Sequence, residues 1–296
     1  MEQTILSQFI VPAALFIIMA GLGLSLTIDD FRGVLVNRKA LVVGLLGQLV
    51  LLPVFAYLLI SGLQPDPVFG LGLLILALSP GGALSNAISH VCKGDLALSV
   101  SLTALTSLLI PFTLPFIYSF AASGISGGSG SISLPIGRTI LQLLMITVVP
   151  ILIGMSIRYR FKGFAQRAGK PVKIISVVFF LMVIFGVIKQ NWEVFPLGFN
   201  SIGLAAIALN IGSLLIGFSL GRLVRLSLKQ IVTIMIEVGM QNAATATFVT
   251  ATLLGDVTMS IAPAIYATIM VPTALLTGFL FSRRIAGSGG RQASSN

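Results

Sequence analysis

Glu237-Val238-Gly239-Met240-Gln241-Asn242 places a carboxylate and two carboxamides in a stretch, Gln230 to Gly255, that carries no other charge. Glu237 is also the only acidic residue deep in any apolar stretch of the chain. An ionised carboxylate in hydrocarbon costs at least about 2.5 kcal/mol, so it needs a partner. No lysine or arginine lies at that depth. A proton, a metal cation or a set of hydrogen-bond donors remains, and the first two both mean cation coupling. Oxygen groups suited to a hard cation recur at helical spacing, Ser99 with Thr103 and Glu237 with Gln241, each pair four apart. A lone serine or threonine more often bonds the carbonyl one turn back. Their weight comes from the cluster, which leaves sodium and proton both open.

A second polar run, Ser79-Pro80-Gly81-Gly82-Ala83-Leu84-Ser85-Asn86, lies near the middle of the apolar stretch from Pro67 to Cys92. Proline removes a backbone donor and clashes with the preceding turn, and paired glycines loosen the chain further. A broken helix is expected here, and in the Glu237 run as its partner in an internal repeat. Unwound backbone at membrane depth is tolerated only where protein buries it or a watery cavity reaches it. Such breaks expose carbonyls for a cation, and they point half-helix N-termini, with their N–H groups and dipole, at a negative group. The expected substrate is therefore an anion.

The elements that must position these residues are membrane helices. The chain is 56% hydrophobic and only 9% charged, a balance no soluble domain of 296 residues tolerates. Charge-free stretches of about 20 residues, enough to cross a bilayer, recur throughout and predict nine spans. The net charge of +10 does not signal nucleic acid. With the N-terminus outside and nine crossings, Arg138 and Lys189 alone among the 18 basic residues face outward, as the inside-positive bias requires. The C-terminus is then cytoplasmic, in a plasma or cell inner membrane. The first span is expected to be retained rather than cleaved. A single cysteine, Cys92, and a single histidine, His90, suggest neither disulfide nor transition-metal chemistry. Long connections are expected at the Gly/Ser-rich segment Ala121 to Ser133 and the basic segment Arg158 to Lys173, with a disordered tail over 285–296.

An internal repeat bears on the architecture. Gly94-Asp95-Leu96-Ala97-Leu98-Ser99-Val100 matches Gly255-Asp256-Val257-Thr258-Met259-Ser260-Ile261, and Pro111 and Pro272 follow at the same interval. The charge-derived topology puts the two copies on opposite sides, so spans 1 to 4 and 6 to 9 are expected to form inverted four-helix repeats with broken helices crossing at the midplane.

Ser79-Pro80-Gly81-Gly82 with Ser85-Asn86, Lys93 to Val100, and Glu237 to Asn242 together resemble the bile acid:sodium symporter family over nearly the whole chain. The resemblance implies two sodium ions and no organic cofactor. One ion would be held by Ser85, Asn86, Ser99, Thr103 and Glu237, the other by Gln48, Glu237, Val238, Met240 and Gln241, with Val238 and Met240 offering carbonyls. Pro80, Ala83, Asn86 and Asn242 would contact substrate. A core domain is implied over 38–120 (spans 2 to 4) and 198–284 (spans 7 to 9), with a panel domain over 1–28 (span 1) and 134–190 (spans 5 and 6). Ala83 replaces a threonine of some bacterial members, and Val271-Pro272 a polar pair. The sodium set stays intact, and the cargo is open between a bile-acid-like anion and small carboxylates such as pyruvate or pantoate.

The expected function is sodium-coupled symport of an organic anion by alternating access, with no catalytic residues and no required oligomer. The rivals are a proton-coupled or uncoupled exporter on the same scaffold and, from another class, a channel or membrane receptor.

Overall fold

The computed structural model describes residues 5–33, 38–125 and 134–293, with residues 31–33 and 282–293 described by backbone alone. Twelve helical elements follow one another: α1 (Leu6–Ser25), α2 (Ile28–Gly33), α3 (Arg38–Leu63), α4 (Pro67–Ala77), α5 (Ala83–Val91), α6 (Leu96–Ile125), α7 (Ile136–Arg160), α8 (Lys162–Gln190), α9 (Phe195–Leu223), α10 (Leu228–Gly239), α11 (Ala243–Thr247, continued by a π turn Phe248–Leu253) and α12 (Ile261–Ala293). No strand occurs among the described residues. Among the described residues seven helices, α1, α3, α6 to α9 and the segment Thr258–Phe281, are long and apolar enough to cross a membrane. The expected third and eighth spans are each two short helices, α4 with α5 and α10 with α11.

The interior is largely apolar, but two features set the chain apart from a water-soluble protein. Ser99, Thr103, Glu237, Thr245 and Ser260 are fully buried, whereas Phe116, Phe120, Leu141 and Phe185 are exposed. An outer surface this apolar suits hydrocarbon and leaves the polar groups to satisfy one another inside.

Prolines shape the long helices. Leu6–Ile10, Gly47–Leu51 and Leu144–Val148 are π turns, and each ends two residues before a proline: Pro12, Pro53 or Pro150. A proline inside a helix lacks an N–H and crowds the carbonyl one turn back, and a widened turn relieves both problems. Gln48 lies in the second of these turns.

Packing sorts the helices. α1 lies mainly on α7 and α8, while α9 packs on α10 and α12. Small residues let α1 and α7 approach: a methyl added to Gly23 would meet the carbonyl of Ile151, and one on Gly154 the carbonyl of Ala20. The short helices have local starts. Asp66 accepts from the Val68 N–H at 2.9 Å before α4, and Ser227 and Gln230 form a capping box before α10.

Two expected connections are helical instead. Between α7 and α8 only Phe161 breaks the helix, so the basic segment Arg158 to Lys173 is mostly the end of α7 and the start of α8. Lysine and arginine are good helix formers, and their stems can run along a surface while the charges stay solvated. The last helix likewise continues to Ala293, through most of the segment read as a disordered tail, because an established helix extends at one bond per residue. α6 reaches Ile125, into the expected Gly/Ser-rich connection, whose residues 126–133 lie outside the described residues.

Candidate functional site

The site begins with the two breaks. α4 stops at Ala77, Ser79 to Gly82 are not helical, and α5 resumes at Ala83. Pro80 cannot donate to the ladder, and the residue before a proline is pushed away from helical geometry. α10 stops at Gly239, Met240 is extended (φ −115°, ψ 113°), and the Asn242 side chain starts α11 by accepting from the Thr245 N–H at 3.0 Å. The breaks touch, because the Asn242 N–H donates to the Pro80 carbonyl at 2.9 Å.

Beside this contact sits Glu237, with no accessible surface. Ser99 Oγ on α6 donates to Glu237 Oε1, and Thr103 Oγ1, one turn later, approaches Oε2 at 2.9 Å. The same two hydroxyls lie 2.8 and 3.1 Å from Asn86 Oδ1 on α5. Each hydroxyl has one proton, so two protons face four acceptor contacts. Two hydroxyl protons cannot serve all four of these oxygen contacts at once, and a cation fits among such oxygens.

The excess continues toward α3. Both amide atoms of Gln48 and Oε1 of Gln241 are buried without a hydrogen-bond partner, while Gln241 Nε2 donates to the Val238 carbonyl at 2.8 Å. Each unsatisfied buried polar atom costs about 1–3 kcal/mol, so a ligand that engages these atoms is favoured. Gly81 closes the space: a Cβ there would stand 2.8 Å from Glu237 Oε2, 3.4 Å from Thr103 Oγ1 and 3.5 Å from Gln48 Nε2. Only hydrogen at that position leaves room in the cluster.

The structure thus brings Asn86, Ser99, Thr103 and Glu237 into contact, with Gln48 reaching the same space past Gly81. Ser85 is buried next to Asn86 and donates to the Gly82 carbonyl at 2.7 Å. Val238 and Met240 flank the end of α10, and the Met240 N–H is used by the Ile236 carbonyl. Ala83, Asn86 and Asn242 line a cavity of about 610 Å³. Pro80 is not on its wall and acts through its carbonyl as the link to Asn242.

Sequence reasoning missed the group behind α10. The Gly239 carbonyl accepts from Tyr266 Oη at 2.9 Å and from Asn210 Nδ2 at 3.1 Å. Thr273 Oγ1 in turn donates to Asn210 Oδ1 at 2.6 Å. These residues hold the end of the half-helix that carries Glu237. Their signal was present, since Asn210 and Tyr266 are polar groups well inside apolar spans.

The model of the Sodium Bile acid symporter family matches residues 12–196, more than half of the chain. The chain belongs to that family. Members are transporters rather than enzymes, in keeping with the membrane-spanning helices. The chain is 29% identical over 229 residues to the uncharacterized sodium-dependent transporter YocS of Bacillus subtilis, covering 77% of this chain and 69% of that protein. It is 28% identical over 229 residues to the probable sodium/metabolite cotransporter BASS1 of Arabidopsis thaliana, covering 77% of this chain and 56% of that one. Human sodium/bile acid cotransporter 4 is 34% identical over 178 residues, which span 59% of this chain and 40% of that one.

Proposed function

We propose that this symporter-family chain is a secondary active carrier that couples the inward movement of sodium to an organic anion by alternating access. The observation that carries the proposal is the buried carboxylate of Glu237 among hydroxyl and amide oxygens, where two hydroxyl protons face four oxygen contacts. One sodium ion takes Ser85, Asn86, Ser99, Thr103 and Glu237. A second takes Gln48, Glu237, Gln241 and the carbonyls of Val238 and Met240. Oxygen-only surroundings suit a hard cation.

The first set draws on α5, α6 and α10 at once, so an ion there ties both broken helices to α6. The start of α5, ordered in this way, faces the cavity with Ala83 and Leu84, and the cavity wall includes Asn242, whose buried Nδ2 has no partner. Backbone N–H groups at a helix start together with an unpaired amide favour a carboxylate. Sodium and anion then stabilise the same arrangement, and that coupling is reciprocal by linkage. The anion is a bile-acid-like molecule or a small carboxylate such as pyruvate or pantoate.

The architecture in this reading is nine spans, counting each broken pair as one, in two inverted repeats. Asp95 and Asp256, equivalent residues of the repeat, accept from the N–H three residues on, Leu98 and Met259, both at 3.1 Å, which supports the pairing. α1, α7 and α8 form a panel against which the other helices move, with the N-terminus outside and the C-terminus cytoplasmic.

The test is Glu237→Gln, which keeps the shape and removes the charge. Purified protein should lose its thermal stabilisation by sodium relative to potassium, and proteoliposomes should lose sodium-driven anion uptake. A variant that keeps both would overturn the proposal.

A further inference from the structure

The cavity beside the crossing holds more positive charge than one carboxylate requires. Arg158 from the last turn of α7 and Lys170 and Lys173 from α8 line it, and among the described residues that form its wall there is no aspartate or glutamate. Nor does any of the three make an ion pair with a described residue. The inside-positive bias accounts for basic residues at this level of the chain, but not for the state of Arg158. Its side chain is half-buried, and Nη1 donates to the Leu24 carbonyl at 2.9 Å. That bond fixes the guanidinium at the cavity wall, and a guanidinium has five N–H donors, so a planar anion can use the others without the cost of ordering the side chain.

The remaining lining mixes polar groups with a larger apolar share. Ala83, Leu84 and Asn242 mark the anion end described above, whereas Leu24, Val100, Phe180 and Met270 are apolar. At about 610 Å³ the space lies within the ~300–1,000 Å³ of ordinary small-molecule sites. We infer that the cargo is a dianion: one anionic group at the start of α5 beside Asn242, an apolar stem along the cavity, and a second anionic group held by Arg158 with support from Lys170 and Lys173. This inference rests on the anion-symport reading and narrows its substrate class: pyruvate and pantoate, with one carboxylate each, would leave Arg158 unused, so a carboxylate with a second anionic group takes their place.

The experiment is a pair of matched titrations on the purified full chain in sodium chloride, octanoate against suberate and hexanoate against adipate, followed by thermal stabilisation. Each pair differs only in the second carboxylate. The diacid is expected to reach half-saturation at about one tenth the concentration of its monoacid, equivalent to ~1.4 kcal/mol. Arg158→Gln should remove most of this advantage while leaving the monoacid response and its sodium dependence in place. Equal response to both members of each pair overturns the inference, as does an advantage that survives Arg158→Gln. If the diacid advantage is present but potassium replaces sodium without effect, the dianion site stands and the sodium coupling fails. If neither acid class stabilises the protein, both fall.

Discussion

Gly81→Ala is a single-methyl test of the cation site. Gly81 is not among the positive-φ glycines, so alanine meets no backbone penalty there, and the consequence is steric. The added Cβ would stand 2.8 Å from Glu237 Oε2, closer than real Cβ atoms come. Ordinary contact begins at 3.4 Å, so the carboxylate must retreat by about 0.6 Å (3.4 − 2.8). A retreat along that line stretches the 2.9 Å bond from Thr103 towards breaking, and a hydrogen bond to a charged group is worth about 1.5–3 kcal/mol. Alanine returns about 0.4–1 kcal/mol by restricting the unfolded chain. A net loss of about 1–2 kcal/mol is expected in the absence of sodium, with a larger loss in its presence because the methyl occupies the ion's space. The readout is melting temperature across a sodium titration at constant ionic strength, with potassium as the balancing ion. Half-saturation should rise by at least about tenfold, the equivalent of ~1.4 kcal/mol. Gly82→Ala is the control: its Cβ would find only the Leu84 nitrogen, at 3.9 Å, and the sodium response should be unchanged. A native sodium titration in Gly81→Ala would refute the placement of the two ions on either side of Glu237, one towards Thr103 and the other towards Gln48.

Other outcomes follow from the same contacts. Tyr266→Phe removes one of two donors to the Gly239 carbonyl and should cost about 0.5–1.5 kcal/mol in stability, together with a weaker sodium response, both readable in one denaturation series. Asn242→Ala removes the cap on α11, worth about 0.5–2 kcal/mol, and should weaken anion-dependent stabilisation more than sodium-dependent stabilisation. Gly23→Ala drives a methyl into the Ile151 carbonyl and should destabilise the α1–α7 contact by about 1–3 kcal/mol, with lower yield of folded protein but no change in sodium affinity per folded molecule. Gln48→Leu buries an apolar group of similar size where two amide atoms have no partner. It should leave the fold at least as stable without sodium while reducing the gain on adding it, as measured by the difference between melting temperatures in sodium and potassium.

The break after α4 was legible in the sequence because proline and paired glycines act locally, the break after α10 only through the repeat and the family resemblance, and Glu237 because a single carboxylate stands out in apolar surroundings. The contact of Ser99 and Thr103 with Glu237 was legible only in part. Their spacing puts both on one face of a helix, but which distant helix that face meets is decided by packing. Gln48 owed its place to the family resemblance. Its route to the site depends on the π turn before Pro53, and a register shift of that kind leaves no periodic mark in the sequence. Asn210 and Tyr266 were passed over because an isolated polar residue in an apolar helix usually serves packing, and their shared target is a carbonyl, a group every residue has. The start of α8 was misplaced for the opposite reason: its charges read as a solvated connection, although lysine-rich segments are compatible with helix.

The bond from the Asn242 N–H to the Pro80 carbonyl joins the two interrupted helices through main chain alone. Any non-proline residue could donate at the first position, and any residue at all could accept at the second. The joint is therefore chemically anonymous: side chains on either segment can be exchanged to suit a new cargo without unfastening it. In the proposed alternating-access cycle, selectivity and transmission of movement could then diverge independently, since one would be written in side chains and the other in the peptide backbone.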